Sequence, residues 1–272
     1  MAEATASSIS DAFARAHDEG RAALMPYMMA GYPSVEGSKA IARAYADAGA
    51  DLIELGIPFS DPLADGPVIH AAATAALEAG TTMDSALEVC GEVADRVPVV
   101  AMTYANMILA GGGPEEFARK LVEAGAAGAI VPDLPLEEAA PVRDSLLAAG
   151  LAFVPLIAPT TPPERRRAIS GQVGESGFVY VVSTVGVTGE RSELPPELTD
   201  LVADVREGAA APVAVGFGIG TPEQAATVGE IADGVIIGSR LVRMAGDEPL
   251  EGAIDEIGTF LRDVRSALGS GD

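Results

Sequence analysis

Eight short apolar segments recur along the chain, and each is followed by a stretch with helical spacing. The segments are rich in Val, Ile, Leu and Phe and nearly continuous in apolarity, which is typical of strands buried on both faces of a sheet. Strands that alternate with helices predict a parallel sheet. The eight predicted strands are residues 25–30, 51–57, 97–104, 128–134, 151–158, 178–183, 211–219 and 233–239.

The stretches between the strands carry apolar residues at helical spacing, with proline at several entries and glycine at several exits. After the first strand, Val35, Ile41, Tyr45 and Ala48 form an apolar stripe, and Gly49 is suited to end the helix. Two helices between the second and third strands indicate an inserted helix. The predicted helices are residues 3–19, 34–49, 67–79, 83–95, 114–125, 136–150, 162–170, 196–208, 222–229 and 250–268.

An eight-stranded parallel sheet in a chain of 272 residues closes most simply into a (β/α)8 TIM barrel, because right-handed crossovers put every helix outside. An open doubly wound sheet is the alternative, but no GxGxxG follows the first strand. No linker or change in composition marks a second domain. We therefore predict one barrel domain over residues 1–272, with an extra N-terminal helix and an additional helix after strand 2.

The composition excludes several classes of protein. Forty acidic residues against 17 basic ones give a formal net charge of −23, which repels nucleic acid and anionic membrane surfaces. The longest apolar runs, 97–101 and 178–182, are too short to cross a bilayer, and the N-terminus resembles no export signal. The single cysteine, Cys90, excludes an intrachain disulfide. We predict a cytoplasmic protein that binds neither nucleic acid nor membranes.

An acidic segment lies where a barrel places its chemistry, at the carboxyl end of the second strand. Glu54 interrupts an apolar strand, where a buried carboxyl is costly unless it is paired, hydrogen-bonded or protonated. Burial raises the pKa of such a group, as a general acid or base near neutral pH requires. Asp61 and Asp65 follow in the next loop, and we expect Asp61 to shape its turn. The alternative is a Glu54 salt bridge followed by two turn-forming aspartates.

Two late glycine-rich loops predict a phosphate site. Residues 216–220 read Gly-Phe-Gly-Ile-Gly after the seventh strand, and Gly238 and Ser239 follow the eighth. Barrels commonly bind phosphate in these two loops, where glycine lets backbone N–H groups approach the anion. A third loop, 185–190 with its continuation to Leu194, is long and polar and is interpreted as a lid or as an ordinary surface loop.

Metal-dependent, nucleophilic and imine-forming chemistry finds little support in the sequence. His17 and His70 have no second His or Cys at ligand spacing, and Cys90 has no base nearby in sequence. The only lysines, Lys39 and Lys120, fall within predicted helices, so no strand end offers an amine for a Schiff base. Carboxylates remain as the proton carriers, and no metal ligand set is predicted.

Residues 54–67, Glu-Leu-Gly-Ile-Pro-Phe-Ser-Asp-Pro-Leu-Ala-Asp-Gly-Pro, closely resemble the signature of the tryptophan synthase alpha subunit. The resemblance extends over nearly the whole chain. It includes residues 26–33, 103–106, 131–135, Tyr180 with 186–189, 216–219, and 238–239. It implies retro-aldol cleavage of indole-3-glycerol phosphate to indole and glyceraldehyde 3-phosphate.

The resemblance also implies roles for individual residues. Glu54 is similar to the general acid–base, and Asp65 to the carboxylate that accepts the indole N–H and stabilises the positive charge developing on the ring; Tyr180 supports Glu54. The residues that resemble the phosphate site are Gly189, Gly218, Gly238 and Ser239. The implied indole wall consists of Tyr27, Tyr104, Leu134, Ile157 and Phe217. Tyr27 stands where many members have Phe, and Thr184 with Val185 differ from the residues common before the Gly186 turn.

The family works with a beta subunit that uses pyridoxal phosphate, so the resemblance implies an α2β2 assembly with a channel for indole. The alpha chain itself needs no cofactor, and loops 58–67 and 183–195 are expected to face the partner. The nearest alternative is a stand-alone indole-3-glycerol phosphate lyase, which has the same residues. A second alternative is another phosphosugar barrel, such as an isomerase or an epimerase, but epimerases commonly require metal ligands, and no such ligand set is predicted here. A third alternative is a catalytically inactive regulatory subunit. The presence of both Glu54 and Asp65 argues against it, because such a subunit would need neither carboxyl for catalysis.

Overall fold

Parallel strand segments form a barrel wall in the computed structural model, which describes residues 3–174, 176–183, 197–216 and 218–269. The nine segments in this part of the chain are paired in the order β5-β4-β3-β2-β1-β9-β8-β7-β6. The predicted TIM barrel is confirmed. The segments are β1 Ala23–Met29, β2 Ile53–Gly56, β3 Val99–Met102, β4 Gly128–Ile130, β5 Ala152–Val154, β6 Leu156–Ile157, β7 Val179–Val182, β8 Val213–Gly216 and β9 Gly234–Ile237.

The fifth predicted strand, 151–158, is divided in two at Pro155. β5 pairs with β4 and β6 pairs with β7, so the two ends of the strand order are consecutive along the chain and the wall closes there. Proline has no N–H to donate to a ladder, which accounts for the interruption. Its carbonyl still accepts a hydrogen bond from Tyr180 N–H at 3.0 Å.

Helices surround the wall. The extra N-terminal helix and the pair of helices after β2 agree with the sequence prediction, whereas the short helices α5 and α11 were missed. The helices are α1 Glu3–Asp18, α2 Val35–Asp47, α3 Pro67–Glu78, α4 Met83–Gly91, α5 Ala105–Ala110, α6 Pro114–Glu123, α7 Ala140–Ala148, α8 Pro163–Ser170, α9 Leu198–Gly208, α10 Pro222–Gly229, α11 Ser239–Ala245 and α12 Leu250–Leu268. Within the described residues, no helix combines the length and apolarity that crossing a membrane requires.

Side chains along each strand alternate between the barrel interior and the layer under the helices. On β1, Tyr27 belongs to the inner apolar cluster and Met28 to the outer one. Phe13 of α1 packs against Phe178 with ring centroids 5.6 Å apart, so α1 contributes to the amino-terminal end of the interior. The polar groups of the site therefore lie towards the opposite, carboxyl end.

A buried ion pair anchors the start of the strand that carries Glu54. The Arg21 guanidinium donates two hydrogen bonds to the Asp51 carboxylate, at 2.5 and 2.9 Å, and Leu24 N–H donates a third at 2.8 Å. Both side chains are buried. Paired in this way, the charges are satisfied away from water, and they join the beginnings of β1 and β2.

Candidate active site

Glu54 lies on β2 and faces the barrel interior, paired in register with Tyr27 on β1. It is only 2% exposed, and its Oε2 has no hydrogen-bond partner within the described residues. Burial raises the pKa of this carboxyl to about 8, and the charge of Asp65 contributes in the same direction. No cation contributes to this shift, so the salt-bridge alternative does not apply to the described part of the chain. At neutral pH Glu54 is therefore protonated.

Asp65 lies in the loop between β2 and α3 and is half-buried. Partial burial raises its pKa to about 6, while a hydrogen bond from Tyr104 and the charge of His70 oppose the rise. Asp65 is therefore largely ionised at neutral pH. In contrast, Asp61 is exposed and accepts a hydrogen bond from the Ser60 hydroxyl at 2.6 Å, as a residue that shapes the turn would.

Tyr104 fastens the acidic loop to the end of β3. Its ring stacks on Phe59 with centroids 5.1 Å apart, and its hydroxyl accepts a hydrogen bond from Ala64 N–H at 3.2 Å. The same hydroxyl is the one that acts on Asp65. Tyr104 thus contacts the loop that positions Asp65 and is not among the residues that line the cavity.

One cavity at the carboxyl end of the barrel brings together seven of the residues selected from the sequence: Tyr27, Glu54, Asp65, Tyr180, Gly218, Gly238 and Ser239. Its remaining walls are mainly apolar. They consist of Ala64, Ile69, Met102, Ile130, Pro132, Leu156, Ile219 and Ile236. A mainly apolar cleft with a few converging polar groups is the usual form of a small-molecule site.

Besides Tyr104, two further residues proposed for the indole wall do not line this cavity. Ile157 is fully buried in the outer layer, and Leu134 lines a neighbouring depression between the β4 and β6 loops. The inward positions of this stretch are Val154 and Leu156, because the alternation of side chains continues through Pro155. Leu156 is one of the cavity residues that the sequence did not reveal, because a strand that is apolar on both faces does not show which of its residues point inward. Gly189 and Phe217 lie outside the described residues, as do Thr184 and Val185.

The two late glycine-rich loops both contribute to the cavity, through Gly218 and Gly238. Gly218 has φ of +84°, a conformation that favours glycine, and Ser239 begins α11 immediately after Gly238. None of the described residues that line the cavity is Lys or Arg. An anion bound here would be held by backbone N–H groups and the Ser239 hydroxyl. Across the described residues, no cluster of three or more His, Cys, Asp or Glu could hold a metal ion.

The chain is similar to known proteins both in sequence and in structure. Residues 13–265 match the model of a family described as tryptophan synthase alpha chain. The chain is 44% identical over 263 residues to the tryptophan synthase alpha chain of Synechococcus elongatus, covering 96% of both chains. It also superposes on a chain of Mycobacterium tuberculosis tryptophan synthase with a TM-score of 0.88 and 35% identity, covering 97% of this chain and 98% of that one. It superposes likewise on a chain from the tryptophan synthase a2b2 complex of Pyrococcus furiosus, with a TM-score of 0.82 and 35% identity, covering 90% of this chain and 98% of that one.

Proposed function

The chain belongs to the tryptophan synthase alpha chain family, and we propose that the cavity around Glu54 and Asp65 is where it carries out that family's reaction. The protein is a carbon–carbon lyase of tryptophan biosynthesis that cleaves indole-3-glycerol phosphate to indole and glyceraldehyde 3-phosphate. The observation that carries the proposal is the pair of carboxyls in one cavity, whose pKa values of about 8 and about 6 fall on opposite sides of neutrality. Two such environments assign one carboxyl to proton transfer and the other to charge stabilisation.

The order of proton transfers follows from these ionisation states. Protonated Glu54 delivers its proton to the indole ring carbon that bears the glycerol chain, and ionised Asp65 accepts the indole N–H and stabilises the cation. The Glu54 carboxylate then takes the proton of the adjacent glycerol hydroxyl. As that carbon becomes an aldehyde, the electrons of the breaking carbon–carbon bond return to the ring and neutralise it. Indole and glyceraldehyde 3-phosphate leave, and Glu54 is protonated again.

Tyr180 supports Glu54 from the facing wall. It lies on β7, lines the cavity, and its pKa is raised by burial and by the charges of Glu54 and Asp65, so it stays protonated. Its hydroxyl lies close to the α-carbon of Gly216 on β8, where any side chain would collide with it. A glycine at this position therefore permits the placement of Tyr180.

The pH dependence of kcat/KM is expected to be bell-shaped. Activity rises as Asp65 ionises near pH 6 and falls as Glu54 loses its proton near pH 8, since the reaction needs the first carboxyl ionised and the second protonated. Steady-state indole release measured across this range tests the assignment. A rate that keeps rising above pH 8 would contradict a protonated Glu54 in the starting complex.

The phosphate group is assigned to Gly218, Gly238 and Ser239, which share the cavity, and to Gly189 by family resemblance. Replacing Gly218 with Ala is expected to raise KM about tenfold with little change in kcat, because a left-handed conformation costs a non-glycine residue roughly 1–2 kcal/mol. Gly80→Ala is the matched control, since Gly80 has φ of +86° with open space around it. An unchanged KM in Gly218→Ala would place the phosphate elsewhere.

We further propose a beta subunit as the partner, in an α2β2 assembly like the a2b2 complex of the Pyrococcus furiosus relative. Leu63 is 85% exposed in the acidic loop and Leu109 is 67% exposed on α5, and Tyr104 connects the two segments by preceding α5 and binding Ala64. Exposed apolar side chains beside an active site are suited to a protein contact. Pyridoxal phosphate would belong to the beta chain, this chain would need no cofactor, and the assembly would reside in the cytoplasm.

An indole-release assay on the purified chain, with and without a tryptophan synthase beta subunit, tests both parts of the proposal. Release of indole from indole-3-glycerol phosphate supports the lyase assignment, and its absence in both arms overturns the assignment of the cavity. Copurification and stimulation by the beta subunit support the assembly. Unstimulated release without complex formation would instead identify a stand-alone lyase.

A further inference from the structure

The hydroxyl of Tyr27 occupies the space directly beside Glu54 on the carboxyl side of the barrel interior. Side chains two residues apart on a strand face the same way, so Gly56 is the next inward position after Glu54. A side chain at Gly56 would collide with the Tyr27 hydroxyl. The hydroxyl therefore occupies the space of a side chain at Gly56. This space is adjacent to the Glu54 side chain, towards the carboxyl end of β2 and the loop that carries Asp65.

Among the described residues, the Tyr27 hydroxyl has no hydrogen-bond partner that would explain its placement. Tyr27 is 3% exposed and lines the cavity, and no hydrogen bond to its hydroxyl is formed within the described part of the chain. The residue lines the cavity, so a ligand or a neighbouring group that changes its charge state can supply the partner of this hydroxyl. Tyr45, another buried tyrosine near β1, differs in this respect, because its hydroxyl donates a hydrogen bond to the Tyr27 carbonyl oxygen at 3.1 Å.

Glu54 needs a hydrogen-bond donor in one state of the proposed reaction. After it protonates the indole ring it is a carboxylate in a mainly apolar cavity, and an unpaired buried charge is costly. The titratable groups that face it are Asp65 from the acidic loop, Tyr27 from β1 and Tyr180 from β7. Tyr104 and His70 act one step further away, on Asp65. Of the groups that face Glu54, ionised Asp65 repels a second carboxylate, and the tyrosine hydroxyls can donate.

We propose that Tyr27 is a positioning residue for Glu54: its hydroxyl donates a hydrogen bond to the Glu54 carboxylate formed in mid-reaction, and Gly56 is required to leave room for it. The proposal rests on the proposed function of Glu54 and adds a second donor on the strand beside it. The hydroxyl rotates freely, so it can stay unpaired while Glu54 is protonated and turn to Oε2 once the proton has left.

The test measures Glu54 itself in the substrate-free enzyme. The infrared carbonyl stretch of the protonated carboxyl, identified by its loss in Glu54→Gln, is followed as a function of pH in the wild type and in Tyr27→Phe. Removing a donor to the ionised form raises the pKa of an acid, so the band is expected to persist to higher pH in Tyr27→Phe, by about one pH unit. An unchanged or lowered midpoint overturns the proposal.

Kinetics supply a second readout. Tyr27→Phe is expected to lower kcat about tenfold with little change in KM, since the affected state forms only after substrate is bound. The alkaline limb of the pH profile should move upward with the infrared midpoint. Tyr45→Phe is the matched control: it deletes a buried tyrosine hydroxyl outside the cavity and should leave both midpoints where they were.

Two further variants separate the possible outcomes. Gly56→Ala displaces the Tyr27 ring and should reproduce the raised Glu54 midpoint; if it does not fold, Tyr27→Phe still decides the question. Glu54→Gln judges the proposed function independently. An inactive Glu54→Gln together with an unshifted Tyr27→Phe would refute the role of Tyr27 alone, whereas an active Glu54→Gln would refute the role of Glu54 on which it depends.

Discussion

Replacing Glu54 with Gln is expected to abolish indole release. The amide has nearly the shape of the protonated carboxyl but cannot deliver a proton to the indole ring or accept one from the glycerol hydroxyl. Substrate binding should be largely retained, because the phosphate loops and the apolar wall are unchanged. Single-turnover indole formation and the affinity for a non-cleavable substrate analogue measure the two effects separately. Substantial residual turnover would remove Glu54 from its proposed role.

The stability of the same variant distinguishes lost chemistry from lost structure. The pKa of Glu54 is about 8 in the folded chain, whereas an unburied glutamate has an ordinary pKa of 4.5, so between these pH values the folded chain holds a proton that the unfolded chain releases. The free energy of unfolding of the wild type therefore falls as pH rises through this window, by about 1.4 kcal/mol per unit. Glutamine has no such dependence. Glu54→Gln should thus be more stable than the wild type at pH 8, as denaturant unfolding can show, even though it is inactive.

Replacing Asp65 with Asn is expected to lower kcat by on the order of a hundredfold or more, because a neutral amide stabilises the cationic ring poorly, and Glu54 is the only other carboxyl among the described residues that line the cavity. The amide also offers the indole N–H a weaker acceptor, so KM should rise moderately. Indole release at high substrate concentration measures the loss. A variant with nearly normal kcat would show that the charge of Asp65 is not used.

The pH profile of the residual Asp65→Asn activity provides the control. The limb near pH 6 should disappear, since the group that titrates there is gone. The alkaline limb should move to lower pH, because the charge of Asp65 helps to raise the pKa of Glu54. Persistence of the acid limb would assign it to another group. Asp61→Asn, which alters an exposed carboxylate of the same loop bonded to Ser60, should leave both limbs in place.

Some residues of the site could be identified from the sequence, and others could not. Glu54 could be selected because a carboxyl in an apolar strand is anomalous whatever the register. Gly218 and Gly238 could be selected because they lie in the two loops where barrels commonly bind phosphate, and all three residues line one cavity. Ile157 was assigned to the cavity although it lies in the outer layer. An apolar run gives no indication of which residues face inward when both faces of the strand are buried, and only the pairing on either side of Pro155 settles it.

The short helices α5 and α11 were missed for a related reason. Each has six or seven residues, too few for an apolar stripe to repeat, and each follows a strand end without a side-chain cap. Their placement depends on contacts made by the barrel: Ala105 N–H, at the start of α5, donates to the Asp133 carboxylate from the β4 loop at 2.9 Å. Such a contact joins residues far apart in sequence, and local propensity does not contain it.

The sequence by itself determined the barrel and the placement of the two carboxyls and the two glycine loops at its carboxyl end, because strand–helix alternation, a charged residue in an apolar strand and paired glycine loops are local patterns with few physical solutions. Only the tertiary structure decided how acidic each carboxyl is and which neighbours act on it. The pKa of Glu54 depends on burial and on the approach of Asp65, and the position of the Tyr27 hydroxyl depends on the register of β1 with β2 and on the space above Gly56. These are distances between separate strands and loops, which exist only once the barrel has closed.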